Sequence, residues 1–307
     1  MISIKLLIKK LIPKHIFKYR NSYLFYKSIK KTAPERLKRR TLLRFDVHLA
    51  EHCNLNCNGC GHFSPLAEKT LLDLSSFEKD CMRLSYLTNG EIEDVSLCGG
   101  EPLLHPEIIG FLRTARKYFK KLGGGGMIRV ITNGMLLASQ KDDFWKACNQ
   151  NQINIEISLY NSVKIDFEKI KQLAINYDVN ILFRGDISTN QREWWRKPLD
   201  ITGKQKASES FKTCDLANTC IQLVDGRLYP CSIVAYIKYF NKYFMKNLQV
   251  NNNDYIDIYK VKNLDEIFDF LSKPIPFCSY CNTKKVSVVD WHISKKDINE
   301  WISYKRY

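Results

Sequence analysis

No stretch of this 307-residue sequence approaches the ~20 uninterrupted apolar residues that a membrane-spanning helix needs, so the chain is expected to be soluble or peripheral. No repeat of fixed short period appears. The first apolar segment is broken by lysines and lacks a small-residue cleavage site, which makes it a poor signal peptide. What is present is ample core material: 45% of residues are hydrophobic and 12% aromatic, more than a disordered chain carries.

Acidic residues are nearly missing from the first 44 positions, where 14 Lys and Arg stand against the single Glu35. The formal net charge of +16 therefore sits mostly on an arm. A basic field over the whole molecule would point to nucleic acid, and none is expected here. Ile4, Leu7, Ile8 and Leu11 share one helical face with Lys5, Lys9, Lys10 and Lys14 around them, until Pro13 interrupts. That pattern suits a helix lying on an anionic membrane surface. A solvated helix packed on the rest of the chain is an equal alternative. The expected location is the cytoplasm, peripheral at the inner membrane face if the arm binds lipid.

From about residue 44, short apolar runs alternate with helical patterns, the rhythm of a parallel sheet with crossover helices. Strands are predicted over 45–50, 94–98, 127–132, 153–159 and 180–185. Helices are predicted over Phe77–Leu87 with Ser75 or Ser76 as cap, after Pro106, over 142–150 and over 167–177. "GGGG" at 123–126 precedes a strand instead of opening a helix, so it reads as a flexible connection and not as a phosphate loop.

The eleven cysteines are odd in number and grouped at short spacings in a long chain, which argues for metal ligation in a reducing compartment over a disulfide framework. Cys81 and Cys148 fall within predicted helices and Cys98 ends a strand, so these three read as small buried hydrophobes. Cys53, Cys57 and Cys60 form CxxxCxxC in a turn-rich loop after the first strand, at the sheet edge where parallel α/β folds keep their chemistry. Structural zinc sites close with four ligands, often as two CxxC pairs, and no fourth cysteine lies nearby.

The second predicted strand runs into Gly99-Gly100-Glu101-Pro102. CxxxCxxC after the first strand, with Gly-Gly-Glu-Pro after the second, resembles the radical S-adenosylmethionine superfamily. The resemblance implies a [4Fe–4S] cluster held by Cys53, Cys57 and Cys60, with the fourth iron left open for the amino and carboxylate groups of S-adenosylmethionine. It implies cofactor contacts from Gly99, Gly100, Glu101 and Pro102. It extends to Thr132 and Asn133 of "ITNG", Ser158 of "ISLY" and Arg184, which as a lone arginine is equally suited to an ion pair. Family members often have an aromatic residue before the third cysteine, where this chain has Gly59; His62 or Phe63 is the candidate to cover the adenine instead. The implied chemistry is reductive cleavage of the sulfonium to methionine and a 5′-deoxyadenosyl radical that takes hydrogen from a substrate. An electron donor such as flavodoxin or ferredoxin is implied with it.

A second cysteine group comprises Cys214, Cys220, Cys231, Cys278 and Cys281. Asp225-Gly226 between apolar runs is a hairpin signal. With that turn, Val224 faces Arg227, and counting outward sets Cys220 opposite Cys231. The segment resembles the twitch or SPASM-like extension of radical S-adenosylmethionine enzymes, which implies an auxiliary iron–sulfur cluster on four of these five. The family's spacing favours Cys214 and the hairpin favours Cys220, while zinc is the alternative metal. Helices over "SIVAYIKYFNKYF" and "NLDEIFDFL" would return the last CxxC to the hairpin.

The expected fold is α/β: a partial (β/α)6-type barrel over 45–205, a small α+β cluster-binding domain over 206–307, and the basic arm over 1–44. The expected function is that of a radical S-adenosylmethionine enzyme working on a small molecule or glycan, with a lipid-linked sugar favoured by likeness to surface-glycan enzymes and by the arm. A peptide-modifying maturase is the alternative within enzymes. A non-catalytic iron–sulfur or zinc module is the alternative outside them, and an intact Gly-Gly-Glu-Pro motif argues against it.

Overall fold

The structure is a computed structural model that describes residues 42–161 and 163–303, together with Ala33 and the backbone of residues 17–19. The helix expected over Ile4–Leu11, with most of the basic arm, lies outside the described residues.

Six strands run parallel: β1 (Phe17–Tyr19), β2 (Arg44–Ala50), β3 (Glu91–Gly99), β4 (Lys121–Thr132), β5 (Asn154–Ser158) and β6 (Ile181–Arg184). Between β2 and β6, successive strands are joined by helices α1 (Leu74–Thr88), α2 (Ile108–Tyr118), α3 (Asp142–Gln150) and α4 (Phe167–Asn176). Parallel neighbours need such crossovers, because a tight turn cannot return a chain to the same direction. The spatial order β1-β6-β5-β4-β3-β2 keeps the central strands in sequence, as a partial barrel requires.

Strand alternation separates two chemistries. Phe45, Val47, Leu49, Val95, Leu97, Ile128, Val130, Ile155, Ile157, Ile181 and Phe183 point to the helices and build the main core. The opposite, inner face carries charge. Arg44 pairs with Asp94 at 3.2 Å, Arg129 lies 3.7 Å from Asp94 and 3.6 Å from Glu156, and Arg184 pairs with Glu156 at 2.6 Å. Burying such a ladder costs desolvation that paired charges only offset, so it marks a face kept for something other than packing.

Two local expectations differ. Helix α1 is capped by Asp73, whose carboxylate accepts from the Ser76 N–H at 2.8 Å, and starts ahead of Ser75 and Ser76. The four glycines belong to β4: pairing jumps from Ile92↔Leu122 to Asp94↔Met127, so extra residues bulge out of the ladder, which side-chain-free backbone permits.

The segment after β6 adds the two-stranded ribbon of β7 (Trp194–Arg196) and β11 (Ser287–Val289), and helix α5 (Ala207–Thr213). The hairpin β8 (Gln222–Val224) and β9 (Arg227–Tyr229) turns at Asp225-Gly226 with Val224↔Arg227 as expected. It joins the main sheet through Asp46↔Gln222, and β10 (Ile256–Asp257) extends it. Helices α6 (Ser232–Phe244) and α7 (Leu264–Leu271) follow, the first burying eight of its 13 residues, several of them in a second core with Phe63, Leu66, Phe277 and Trp301.

Candidate active site

At the carboxyl ends of β2 and β3 the backbones touch. The Gly100 N–H donates to the Ala50 carbonyl at 2.7 Å and the Glu101 N–H to the His52 carbonyl at 3.1 Å. A Cβ on Gly99 would stand 2.3 Å from the Ala50 oxygen, and one on Gly100 2.1 Å from the His52 oxygen. Both contacts are with backbone that cannot yield without moving the cysteine loop. The glycine pair thus sets where that loop begins.

Glu101 is fully buried. Its carboxylate accepts from the Leu103 N–H at 3.1 Å, the Thr132 hydroxyl at 2.7 Å and the Asn133 N–H at 2.9 Å. Burial nevertheless outweighs these three donors and pushes its pKa up to about 7. Glu101 and Thr132 therefore bind each other across the strand ends. The Asn133 side-chain N–H₂ donates to Asn54 Oδ1 at 2.7 Å and reaches Cys53 Sγ at 3.8 Å, tying β4 to the cysteine loop. Ser158 accepts from Arg192 at 3.3 Å. Arg184 takes the ion-pair role, on Glu156. Pro102 is buried and opens a short 3-10 turn.

The thiols of Cys53, Cys57 and Cys60 are electrostatic neighbours packed in one cluster. Leu55, Val163 and Trp194 enclose them, with Tyr160 and Trp291 alongside. Burial raises all three pKa values, that of Cys53 to about 11. Buried thiolates need a cationic partner. Donors are aimed at the sulfurs: the Leu55 N–H reaches Cys53 Sγ at 3.4 Å, and the N–H groups of His62 and Ser64 face Cys60. The buried indole N–H of Trp291 is turned to the Cys57 thiol. An anionic sulfur cluster would accept it. Also among the described residues, no three His, Cys, Asp or Glu side chains close tightly enough to hold a single metal ion.

Gly59 stands where an aromatic residue is usual, and tertiary contact gives the reason. Its φ is +56°, and a Cβ there would lie 2.8 Å from the Glu300 carbonyl oxygen. The loop is clasped by the end of the chain: Asn58 exchanges hydrogen bonds with His292 and Asp290, the Ser294 N–H donates to the Asn56 carbonyl at 2.7 Å, and Trp301 Nε1–H donates to the Cys60 carbonyl at 2.9 Å. Trp194 Nε1–H closes the set on the Asn58 carbonyl at 2.7 Å.

Neither candidate for covering the adenine is free to do so. Phe63 is fully buried against Phe240 and Trp301. His62 Nδ1 lies 3.1 Å from His48 Nε2 and 3.3 Å from the Gly99 carbonyl. Burial, then the neighbouring His48, drops its pKa to about 3, so it is neutral. A consistent tautomer chain follows: His62 Nδ1–H donates to both acceptors, and His48 Nδ1–H donates to Glu51 at 2.9 Å. The His48 ring stacks on Tyr236 of α6 at 3.7 Å, joining the inner face of the sheet to the second core.

Sequence spacing missed Arg192, Tyr160, Trp194 and Trp291. Arg192 lies over the rings of Tyr160 and Trp194, at 5.5 and 5.2 Å, and faces Cys57 and Cys60. The signal was the run "REWWRK", bulky and basic in an otherwise irregular segment, but nothing local tells which loop it meets.

The second cysteine group divides. Cys214 at the end of α5, Cys231 at the cap of α6, and Cys278 and Cys281 around a 3-10 turn are electrostatic neighbours. Cys220 turns to Asp46 and Cys98 and receives a hydrogen bond from Gln222 at 3.1 Å, although it remains an electrostatic neighbour of Cys231. The ladder ends at Gln222↔Tyr229, so the count outward to Cys220 runs past the paired region.

Residues 47–174 match the model of the Radical SAM superfamily. The GTP 3',8-cyclase of Peptoclostridium acidaminophilum is 27% identical over 121 residues, which cover 39% of this chain and 36% of that protein. The chain thus spans little more than a third of that relative's length. The GTP 3',8-cyclase of Campylobacter fetus subsp. fetus is 23% identical over 249 residues, 80% of this chain and 71% of that protein. Among solved structures, BtrN in complex with AdoMet and 2-DOIA aligns with a TM-score of 0.47 at 16% identity, covering 79% of this chain and 94% of that one.

Proposed function

We propose, on the premise that residues 47–174 form a domain of the Radical SAM superfamily, that this chain is an enzyme that cleaves S-adenosylmethionine reductively and takes hydrogen from a polar substrate. The observation that carries the proposal is the trio of neighbouring thiols packed in one cluster beside a glycine-tight strand edge, with the Trp291 indole N–H turned to Cys57. Cys53, Cys57 and Cys60 would hold a [4Fe–4S] cluster, which supplies the electron that breaks the sulfonium bond. The chain's own residues position and shield. Gly99 and Gly100 fix the edge, Glu101 locks β3 to β4, and Asn133 links that edge to Cys53. Trp194, Trp291 and Tyr160 keep water from the loop.

The charged inner face favours a substrate rich in hydroxyl or other polar groups, with a sugar as the class proposed. Arg44, Asp94, Arg129, Glu156 and Arg184 are paired with one another there and keep that face polar. The lipid-linked form of that sugar would depend on the basic arm, which lies outside the described residues. Anaerobic reconstitution with iron and sulfide, followed by dithionite and S-adenosylmethionine, should yield 5′-deoxyadenosine, faster when the right sugar is present. A fully iron-loaded protein that makes none, with or without a sugar panel, would refute the proposal.

The proposal includes an auxiliary cluster in a C-terminal domain of the twitch or SPASM type, on Cys214, Cys231, Cys278 and Cys281. Their mutual approach supports that set, as does Cys231 at the start of α6, where the helix dipole favours a thiolate. Cys214→Ala is expected to lower the iron content of the reconstituted protein by about four per chain, and Cys220→Ala to leave it unchanged. The opposite result, or a single zinc replacing that iron, would count against this set.

A further inference from the structure

One cation reaches the cysteine cluster without a carboxylate of its own. Arg192 lies beyond residues 47–174, in the irregular segment ahead of β7. Its guanidinium is held over the ring of Tyr160 at 5.5 Å and that of Trp194 at 5.2 Å, and its Nη1–H donates to the Ser158 hydroxyl at 3.3 Å. Both rings pack in the cluster that contains Cys53, Cys57 and Cys60. Contacts from the end of β5, from the loop after it and from β7 thus fix one half-buried guanidinium beside the thiols. Among the described residues no carboxylate stands within ion-pair distance of it. Glu156, which shares its surroundings, pairs with Arg184 at 2.6 Å and lies 3.6 Å from Arg129. The charge of Arg184 is offset by that pairing, and the charge of Arg192 is not. Burial lowers the Arg192 pKa, yet a guanidinium stays protonated. Burial also dominates at Cys57 and Cys60, and Arg192 is the cation that works against it at both. A desolvated charge is costly unless an anion completes its site, and ionised sulfur is the anion that this one faces.

We propose that Arg192 raises the reduction potential of the cluster on Cys53, Cys57 and Cys60, so that the electron needed for cleavage enters more readily. The inference rests on the cluster assignment made above. An added electron makes the cluster more negative, and a fixed cation in a poorly solvated site stabilises that state over the oxidised one. In the step concerned, one electron passes from an external reductant such as dithionite to the cluster. No proton moves and no bond of the protein forms or breaks. Arg192 acts through its field alone, which is why the two rings and Ser158 that hold it in place belong to the device.

The test is a potentiometric titration of the reconstituted full chain, followed by electron paramagnetic resonance without S-adenosylmethionine. The signal of this cluster is the one lost when Cys53, Cys57 and Cys60 are all replaced by Ala. In Arg192→Gln the ratio of reduced to oxidised cluster at a given poise is expected to fall about tenfold, which for a one-electron couple is a midpoint lower by about 59 mV. Iron content should stay at the wild-type level. Arg192→Lys keeps the charge and should recover most of the ratio, although an ammonium lacks the planar fork that lies over the rings. An unshifted midpoint in Arg192→Gln would overturn the proposal. Loss of iron in that variant, or an equal shift in Arg192→Lys, would overturn it too, by showing a disturbed loop in place of a lost charge. A wild-type protein with no reducible signal that depends on the three cysteines would instead overturn the cluster assignment beneath it.

Discussion

Replacement of Cys53, Cys57 and Cys60 together with Ala is expected to remove about four irons per chain from the reconstituted protein and to bring 5′-deoxyadenosine to background. The size of the effect follows from where the thiols sit. They are enclosed by Leu55, Val163, Trp194 and Trp291, and burial is the largest cause that raises their pKa values. His62 follows Cys60 by two residues, but its ring is committed to His48 and the Gly99 carbonyl. The fold should survive, since each change removes one small atom from a loop otherwise held by backbone hydrogen bonds to residues 290–301. Iron analysis and far-ultraviolet circular dichroism on one preparation separate the two effects. Retention of full iron in a folded triple variant would defeat the ligand assignment.

Glu101→Ala is expected to destabilise the protein by about 3 kcal/mol or more, because three buried donors lose their acceptor at once. The donors are the N–H groups of Leu103 and Asn133 and the Thr132 hydroxyl. Glu101→Gln keeps one carbonyl oxygen for Leu103 and Thr132 but sets an amide against the Asn133 N–H, so its cost should be smaller. The pair also carries a pH signature. Folding raises the Glu101 pKa to about 7, so between the ordinary glutamate value and that point the folded state retains a proton that the unfolded chain releases. This group's contribution is therefore complete at low pH and is lost as pH rises through that window, by an amount on the order of 3 kcal/mol. Urea unfolding of the wild-type protein and of Glu101→Gln at pH 5 and pH 7.5, without S-adenosylmethionine, should show a larger loss in the wild type. Equal pH dependence in the two would mean that the carboxyl is ionised throughout.

The five central strands were legible because each alternates an apolar outer side with a polar inner one, as in Phe45, Val47 and Leu49 against Asp46 and His48. That alternation is a local property. So are the hairpin turn at Asp225-Gly226 and helix α6, which runs from Ser232 to Phe244 as its pattern predicts. The four glycines of β4 were misjudged because a strand may absorb them as a bulge when its neighbour is already in place. Asp73 displaced the expected serine caps by one turn chemistry competing with another, the carboxylate holding both Ser75 and Ser76.

Spacing and period along the chain suffice for the parallel α/β core, for the order of the two motifs along it, and for setting Cys81, Cys98 and Cys148 apart from the other cysteines. Tertiary contacts, by contrast, return residues 290–301 to clasp the loop at 56–60, require Gly59 beneath the Glu300 carbonyl, spend Arg184 on Glu156, and set Cys214 near Cys231, Cys278 and Cys281 while Cys220 neighbours Cys231 and Cys98. These are contacts between residues far apart in sequence. Each is selected by shape and burial, which no short window of residues encodes.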